Sequence, residues 1–147
     1  MPEQLAKTIR QAHTEDAQRC GDIAALAWQR LFDAWLELIN PELFAQNYDG
    51  WREPKRQEVV GHIGQNPNRA IVTEAEGAVA GFFAFCLPGP QGVGEIGNNA
   101  VHPDFQGHGI GAGQCKQVLG IFREMGLTSA TLYTGLDEGH APMGPCT

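Results

Sequence analysis

Apolar residues recur at helical spacing through the first third of the chain. They are Cys20, Ile23, Ala24, Ala27, Leu31, Trp35 and Leu38. This spacing places them on one face, so we predict a helix that packs on a core and ends at about Ile39. Thr14 is the predicted N-cap, because Glu15 and Asp16 follow it and the helix dipole favours negative charge there. The alternating stretch from Lys7 to Ala12 predicts a short strand before the helix.

Three segments in the middle of the chain have the composition of strands. They are AIVTEA at 70–75, AVAGFFAFCL at 78–87 and GEIGNNAVH at 94–102. Glu76 and Gly77 between the first two are typical of a hairpin turn, so an antiparallel meander is the simplest topology. A helix from Pro54 to about Gly64 is predicted before them, since proline is favoured in a first helical turn.

A glycine-rich loop, a helix and a last strand follow the meander. Helical spacing is shown by Ile110, Cys115, Val118, Leu119 and Phe122. Gly126 ends this helix near Met125, and SATLYTGL at 129–136 predicts the strand. Strand, loop, helix and strand form a crossover unit, so the strands around Val101 and Leu132 are predicted to lie parallel or nearly so.

The overall composition indicates one soluble globular domain over residues 1–147, with 42% hydrophobic and 18% charged residues. A net charge of −7 disfavours nucleic acid as a partner, because binding to phosphates depends on Lys and Arg. No stretch has the apolar length of a membrane span, and the N-terminus lacks the apolar core of a signal peptide. We therefore expect a cytoplasmic protein that does not bind membranes.

Cysteine spacing gives no sign of a metal site. Four cysteines, at positions 20, 86, 115 and 146, lie far apart with no C-x-x-C pair and no regularly spaced histidine. We expect free thiols, no disulfide framework and no bound metal.

The most informative segment is VHPDFQGHGIGAGQCKQVL, which has glycine at 107, 109, 111 and 113 directly before a predicted helix. Backbone N–H groups at a helix start lack intrahelical partners and attract anions. Glycines remove the Cβ atoms that would hold a diphosphate away. We interpret Gln106 to Ala112 as a pyrophosphate cradle; the alternative is a turn that only needs unusual backbone angles.

Two common nucleotide motifs do not fit this loop. A P-loop requires Lys followed by Ser or Thr after its second glycine, which this chain lacks. A Rossmann fingerprint opens a repeating parallel βαβ fold, whereas here the loop comes late and one predicted strand follows it.

The same residues resemble the GNAT superfamily of acyl-CoA-dependent N-acyltransferases. Its pyrophosphate motif, Q/R-x-x-G-x-G/A, is matched by Gln106, Gly109 and Gly111, followed by Ala112. The preceding AVHPDF at 100–105 is close to the family's V-x-P-x-[FY]-Q usage. The resemblance extends from TIRQAHTEDA near the start to LYTGLDEGHAP near the end.

The resemblance implies an α/β fold with a mixed, mostly antiparallel sheet flanked by helices, and acetyl-CoA as cosubstrate. In the family a bulge splays the fourth strand from the fifth and opens a slot for pantetheine. Main-chain contacts to the pantetheine arm would come from Asn99, Ala100 and Val101. The pyrophosphate would be held by Gln106, Gly107, His108, Gly109, Ile110, Gly111 and Ala112.

The implied reaction is direct attack of a neutral primary amine, from a small molecule or peptide, on the acetyl thioester. It needs a proton acceptor and stabilisation of the departing thiolate. Glu95 matches a position where several family members carry the base; the alternative is a solvated strand residue. Nothing in the sequence identifies the acceptor.

The match departs from the family at the C-terminus. His140 fits the opening position of the family's last helix, but the tyrosine that commonly acts as general acid would fall on Thr147. Tyr48, Tyr133 and His140 are alternative acids. The family's last two strands are not in the sequence, so we expect an apolar strand edge that a homodimer covers.

Two other functions stay open. One is a GNAT-fold protein that binds CoA with impaired catalysis, or a truncated remnant of such an enzyme. The other is a fragment that binds a dinucleotide.

Overall fold

The computed structural model describes residues 6–38, 52–86, 93–127 and 129–132. Within these ranges the chain forms three α-helices and five β-strands. Their bounds are β1 Lys7–Gln11, α1 Ala17–Leu36, α2 Arg52–Gln65, β2 Ala70–Ala75, β3 Ala78–Cys86, β4 Val93–Val101, α3 Ile110–Glu124 and β5 Ser129–Leu132. Each corresponds to an element predicted from the sequence; the part of the predicted last strand after Leu132 lies outside the described residues.

The strands form one sheet in the order β1-β2-β3-β4-β5. Neighbours pair antiparallel except β4 and β5, which are parallel as predicted from the crossover. The β2–β3 hairpin turns at Glu76 and Gly77, with φ of 52° and 81°, the left-handed pair that matches the twist of adjoining strands. The predicted mixed, mostly antiparallel α/β fold is confirmed.

Helices α1 and α2 cover one face of the sheet. Cys20, Ile23 and Ala24 of α1 are completely buried against strand residues such as Val72 and Phe82. The predicted apolar face of α1 is thus confirmed over its first half. Leu38 is 81% exposed, contrary to the prediction, because α1 ends at Leu36.

Helix α3 covers the opposite face, since alternate strand residues point to opposite sides. Val118 and Phe122 pack there on Ile71, Phe83 and Phe85. The Phe85 and Phe122 rings meet edge to face with centroids 5.5 Å apart.

A buried polar side chain also ties α3 to the sheet. Gln114, 1% exposed, donates from Nε2 to the Phe82 carbonyl at 3.0 Å. Its Oε1 accepts from the Thr73 hydroxyl at 2.8 Å. Because both ends of the amide are satisfied, α3 has one favoured position along the sheet.

The predicted N-cap at Thr14 is wrong by one residue. A 3₁₀ turn, Thr14–Asp16, precedes α1, and His13 is its cap residue with extended backbone. Asp16 accepts the His13 N–H at 2.7 Å and pairs with Arg10 at 2.8 Å. The Arg10 guanidinium holds the pKa of Asp16 below its usual range, despite an opposing effect of burial.

A bulge lies in the middle of β4. Phe83 is opposite Asn99 and Phe85 is opposite Ile96, so two steps along β3 correspond to three along β4. β5 pairs with β4 from Val93 to Ile96 only, on the N-terminal side of the bulge. Beyond the bulge, β4 has no neighbour on that side among the described residues, which is the splayed arrangement expected from the resemblance.

Candidate functional site

The glycine loop connects the end of β4 to α3 through a 3₁₀ turn at Pro103–Phe105. Gly107 has a φ of 86°, and Gly109, the cap residue of α3, has a φ of 78°. Residues with a Cβ rarely adopt these angles, so both positions require glycine. The need for unusual backbone angles, which was the alternative explanation of the loop, therefore accounts for Gly107 and Gly109.

The other two glycines have no such requirement. A Cβ on Gly111 would lie 3.7 Å from Val101 Cγ2, and one on Gly113 would lie 3.8 Å from Ile9 Cδ1, which are ordinary contacts. The chain's own packing thus has room for alanine at both positions. Gly111 and Ala112 are exposed, so the surface of the first turn of α3 is open.

The N–H groups at this open surface are available to an anion. The first intrahelical bond runs from the Gly113 N–H to the Gly109 carbonyl at 3.0 Å. In an α-helix the N–H groups before that bond, here those of Ile110, Gly111 and Ala112, have no intrahelical acceptor. The Ile110 side chain is 3% exposed in the core, so only its backbone faces the loop.

Gln106 links the loop to two other elements. Its Nε2 donates to the Val101 carbonyl at 3.0 Å, and its Oε1 accepts from Arg30 Nη1 on α1 at 3.0 Å. Its side chain therefore braces the end of β4. No sequence pattern indicates Arg30, which lies 76 residues away along the chain.

Beyond the bulge, the main-chain groups of β4 point alternately toward β3 and away from it. The His102 N–H donates to Ala80 at 2.8 Å across the β3 pairing, and backbone groups in antiparallel strands alternate in direction. Those of Ala100, two residues earlier, point to β3 as well. Those of Asn99 and Val101 point away from β3, so the pairing favours these two over Ala100 as ligand contacts.

A groove of about 330 Å³ adjoins these residues. It is lined by Ala27, Trp28, Asn99, Ala100, Val101 and Gln106. We call it the β4 groove. It lies between α1 and β4, next to the glycine loop.

Glu95 lies on the N-terminal side of the bulge, opposite Cys86 of β3. Strand alternation directs it away from the α3 side, where Phe85 and Ile96 pack, and toward α1 and α2. Its side chain is half-buried. It therefore shares a sheet face with Ala100, which packs on the α1 core.

Lys55 of α2 contacts the bulge from the same face. Its Nζ lies 2.8 Å from Asn98 Oδ1, 3.2 Å from Glu58 Oε2 and 4.6 Å from the centroid of the Trp28 ring. This cluster joins α2, the bulge and one wall of the β4 groove. No sequence pattern indicates this cluster.

Lys7 of β1 approaches the loop from the other side. Its ammonium donates to the His108 carbonyl, and a Cβ on Gly109 would lie 3.6 Å from its Nζ. Its side chain is exposed. Of the candidate residues, His108 thus contributes its backbone to a contact that the sequence did not reveal.

In the described ranges, no three His, Cys, Asp or Glu side chains are grouped as metal ligands would be. Cys20 and Cys115 are free thiols, whereas Cys86 is disulfide-bonded, so the expectation of free cysteines is wrong at that residue. Burial raises the pKa of Cys20 to about 12, which keeps this thiol protonated and unreactive. Among the described residues, no helix combines the length and apolar character needed to cross a membrane.

The predicted Tyr133 and His140 acids and the Thr147 position lie outside the described residues, as does Tyr48. Of the predicted site residues, those from Glu95 to Ala112 are all described. The structure brings them together along β4, the loop and the start of α3.

Comparison with known proteins gives a family match. The model of the Acetyltransferase (GNAT) family matches residues 22–141. A search of curated proteins finds no match.

Solved structures with a similar fold include three acetyltransferases. PaiA N-acetyltransferase from Thermoplasma acidophilum, in complex with coenzyme A, has a TM-score of 0.68 at 16% identity over 88% of this chain and 79% of that one. A GNAT family acetyltransferase from Brucella melitensis, in complex with acetyl-CoA, has a TM-score of 0.61 at 22% identity, over 90% of this chain and 79% of that one. Ribosomal-protein-alanine N-acetyltransferase from Brucella melitensis biovar Abortus 2308 has a TM-score of 0.58 at 18% identity, over 92% of this chain and 85% of that one. At these identities the similarity shows a shared fold.

Proposed function

The chain belongs to the acetyltransferase (GNAT) family, and we propose that it transfers an acetyl group from acetyl-CoA to a primary amine of a small molecule or peptide. The observation that carries the proposal is the open first turn of α3 beside the end of β4, which pairs with β3 on one side and has no neighbour on the other among the described residues. A diphosphate would bind at the first turn of α3, and the extended, amide-containing pantetheine arm would bind along the end of β4. Two similar structures contain coenzyme A or acetyl-CoA, which supports the donor.

Each end of the donor has a matching set of backbone groups. The N–H groups of Ile110, Gly111 and Ala112 would bind the pyrophosphate, with the positive end of the α3 dipole behind them. Asn99 and the Val101 N–H would pair with the pantetheine arm as a neighbouring strand does, since the Val101 carbonyl already accepts from Gln106. A donor bound in this way would have its thioester near the bulge of β4.

The chemistry requires a neutral amine at the thioester carbon. The nitrogen forms a bond to the acetyl carbon, the carbon–sulfur bond breaks, and the amine proton passes to a base. We assign the base to Glu95, which is half-buried, faces α1 and α2, and lies just before the bulge. The thiolate takes a proton from solvent or from an acid in the remainder of the chain.

The acceptor would enter on the side of α1 and α2. Trp28 and the Lys55–Asn98 contact lie on that side, close to the bulge. These residues give the acceptor an aromatic wall and polar groups beside it. We also propose that a second copy of the chain covers the outer edge of β5, which sedimentation or light scattering would test.

The decisive test is titration of acetyl-CoA into the purified protein by calorimetry, with NAD as the control ligand. Binding of acetyl-CoA without binding of NAD is expected. Gly109→Glu should abolish the binding, because it adds bulk and negative charge at the N-cap of α3. Unchanged affinity in this variant would rule out the pyrophosphate assignment.

A second measurement separates an enzyme from a binding protein. Thiol release from acetyl-CoA is followed with a panel of small amines, amino acids and short peptides. Release that depends on one class of amine identifies the acceptor. Tight binding of acetyl-CoA with no release on any amine would instead support a CoA-binding protein impaired in catalysis.

A further inference from the structure

Lys7 is an unusual neighbour for a glycine loop, because it reaches the loop from the first strand, 101 residues away. Its ammonium donates to the His108 carbonyl, and the ion pairs found among the described residues do not include it. The positive charge at this position is therefore not neutralised by a carboxylate in that part of the chain.

His108 needs a partner of this kind because local sterics do not fix its orientation. It lies between Gly107 and Gly109, both at positive φ. Glycine has the widest choice of backbone angles, so the peptide units between two glycines rotate easily. A contact from outside the loop then decides which way the His108 carbonyl points.

The direction of that carbonyl also sets the direction of an N–H group. The His108 carbonyl and the Gly109 N–H belong to one planar trans peptide unit, so they point in opposite directions. When Lys7 holds the carbonyl toward β1, the Gly109 N–H is directed away from β1. It then adds to the free N–H groups that open α3.

We propose that Lys7 is a positioning residue for the pyrophosphate cradle: it fixes the 108–109 peptide with its N–H free for the anion. Its charge also makes the local potential more positive in a protein with a net charge of −7. This inference rests on the proposed function, because it takes the donor diphosphate as the anion.

The test compares Lys7→Met with Lys7→Arg and with Arg123→Met. Arg123 is an exposed cation in the last turn of α3, about 20 Å from the loop at 1.5 Å per residue. Affinities for CoA and dephospho-CoA are measured by calorimetry at low and high salt. Dephospho-CoA keeps the diphosphate and lacks the 3′-phosphate, so it separates these two anions.

Lys7→Met is expected to weaken both ligands about fivefold, the scale of one exposed charge-assisted hydrogen bond. The loss should shrink at high salt, which screens the charge. Lys7→Arg should restore most of the affinity, and Arg123→Met should leave the affinities for both ligands unchanged. The melting temperature of Lys7→Met without ligand should equal that of wild type.

Equal affinity of wild type and Lys7→Met for CoA would overturn the inference. A loss seen with CoA but not with dephospho-CoA would also overturn it, since Lys7 would then act on the 3′-phosphate. A loss of affinity in Lys7→Met together with a lower melting temperature, without rescue by Lys7→Arg, would also overturn it, because Lys7 would then have only a structural role. If the wild type binds neither ligand, the proposed function itself fails.

Discussion

Gly109 offers a direct test of the loop geometry, because its φ of 78° lies in the left-handed region. Alanine in this region costs about 1–2 kcal/mol. Reduced freedom of the unfolded chain offsets about 0.4–1 kcal/mol of this. We expect Gly109→Ala to destabilise the protein by about 1 kcal/mol, which lowers the melting temperature by about 2–4 °C for a chain of this size.

Two glycines inside α3 supply matched controls, because alanine at these positions should raise the melting temperature, whereas alanine at Gly109 should lower it. A Cβ on Gly111 would be 3.7 Å from its nearest neighbour outside the helix backbone, and a Cβ on Gly120 would meet nothing within 4 Å. Alanine in a helix is favoured over glycine by about 0.5–1 kcal/mol. Gly111→Ala and Gly120→Ala should therefore raise the melting temperature by about 1–4 °C.

Ligand binding should separate the three variants differently. The family motif accepts alanine at 111, so Gly111→Ala and Gly120→Ala should retain CoA binding. Gly109→Ala should bind CoA at least about tenfold more weakly, since a rearranged loop misdirects its N–H groups.

The assay is thermal unfolding followed by circular dichroism, with and without CoA at about 100 times the wild-type Kd. Wild type should gain about 2.7 kcal/mol from the ligand, and Gly109→Ala, whose Kd is higher by about tenfold or more, should gain about 1.4 kcal/mol or less. A Gly109→Ala protein that is as stable as wild type and gains the same stabilisation from CoA would refute the assigned role of the left-handed glycine.

Three further predictions concern the buried amide, the entry to α1 and the assigned base. Gln114→Leu should cost about 2 kcal/mol or more in urea unfolding, because it leaves the buried Thr73 hydroxyl without its acceptor. Adding Thr73→Val should recover part of that loss, and no recovery would argue against the hydrogen bond. Arg10 lowers the pKa of Asp16 in the folded protein. The Asp16 carboxylate therefore stabilises the fold fully above its ordinary pKa of 3.8, and this stabilisation disappears as the pH falls through the lower pKa of the folded state. Asp16→Asn should therefore be less stable than wild type at pH 7, with a difference that narrows below about pH 4; a difference independent of pH would contradict this. Glu95→Gln should lower kcat about a hundredfold while the Kd for acetyl-CoA stays the same, and unchanged turnover would show that the base lies elsewhere.

The sequence predicts the fold well where the signals are local. The Glu76-Gly77 turn, the helical spacing after the glycine loop and the crossover to the last strand depend on neighbouring residues, and the structure has all three. The N-cap at Thr14 is wrong because a tertiary contact decides it. Arg10 of β1 fixes the Asp16 carboxylate, which then accepts from His13.

The candidate site divides in the same way. The glycines are visible in the sequence because their spacing is a local pattern. The contacts that brace the loop and the bulge join residues far apart in the chain: Lys7 to His108, Arg30 to Gln106 and Lys55 to Asn98 are separated by 101, 76 and 43 residues. Lysines and arginines on helices and edge strands have no sequence pattern that identifies such partners.

These braces follow from the glycines themselves. A loop with two left-handed glycines leaves its N–H groups open to a ligand, but it also has high conformational freedom, which an anion must reduce on binding. Gln106 restrains the loop at β4, Lys7 restrains it at β1, and the bond from Gly113 to Gly109 begins the helix. The glycines therefore determine whether a diphosphate fits, while the braces determine how much order the loop already has. Gly109→Ala should accordingly weaken CoA binding at least about tenfold and Gly109→Glu should abolish it, whereas changes at the braces should alter the Kd by smaller factors.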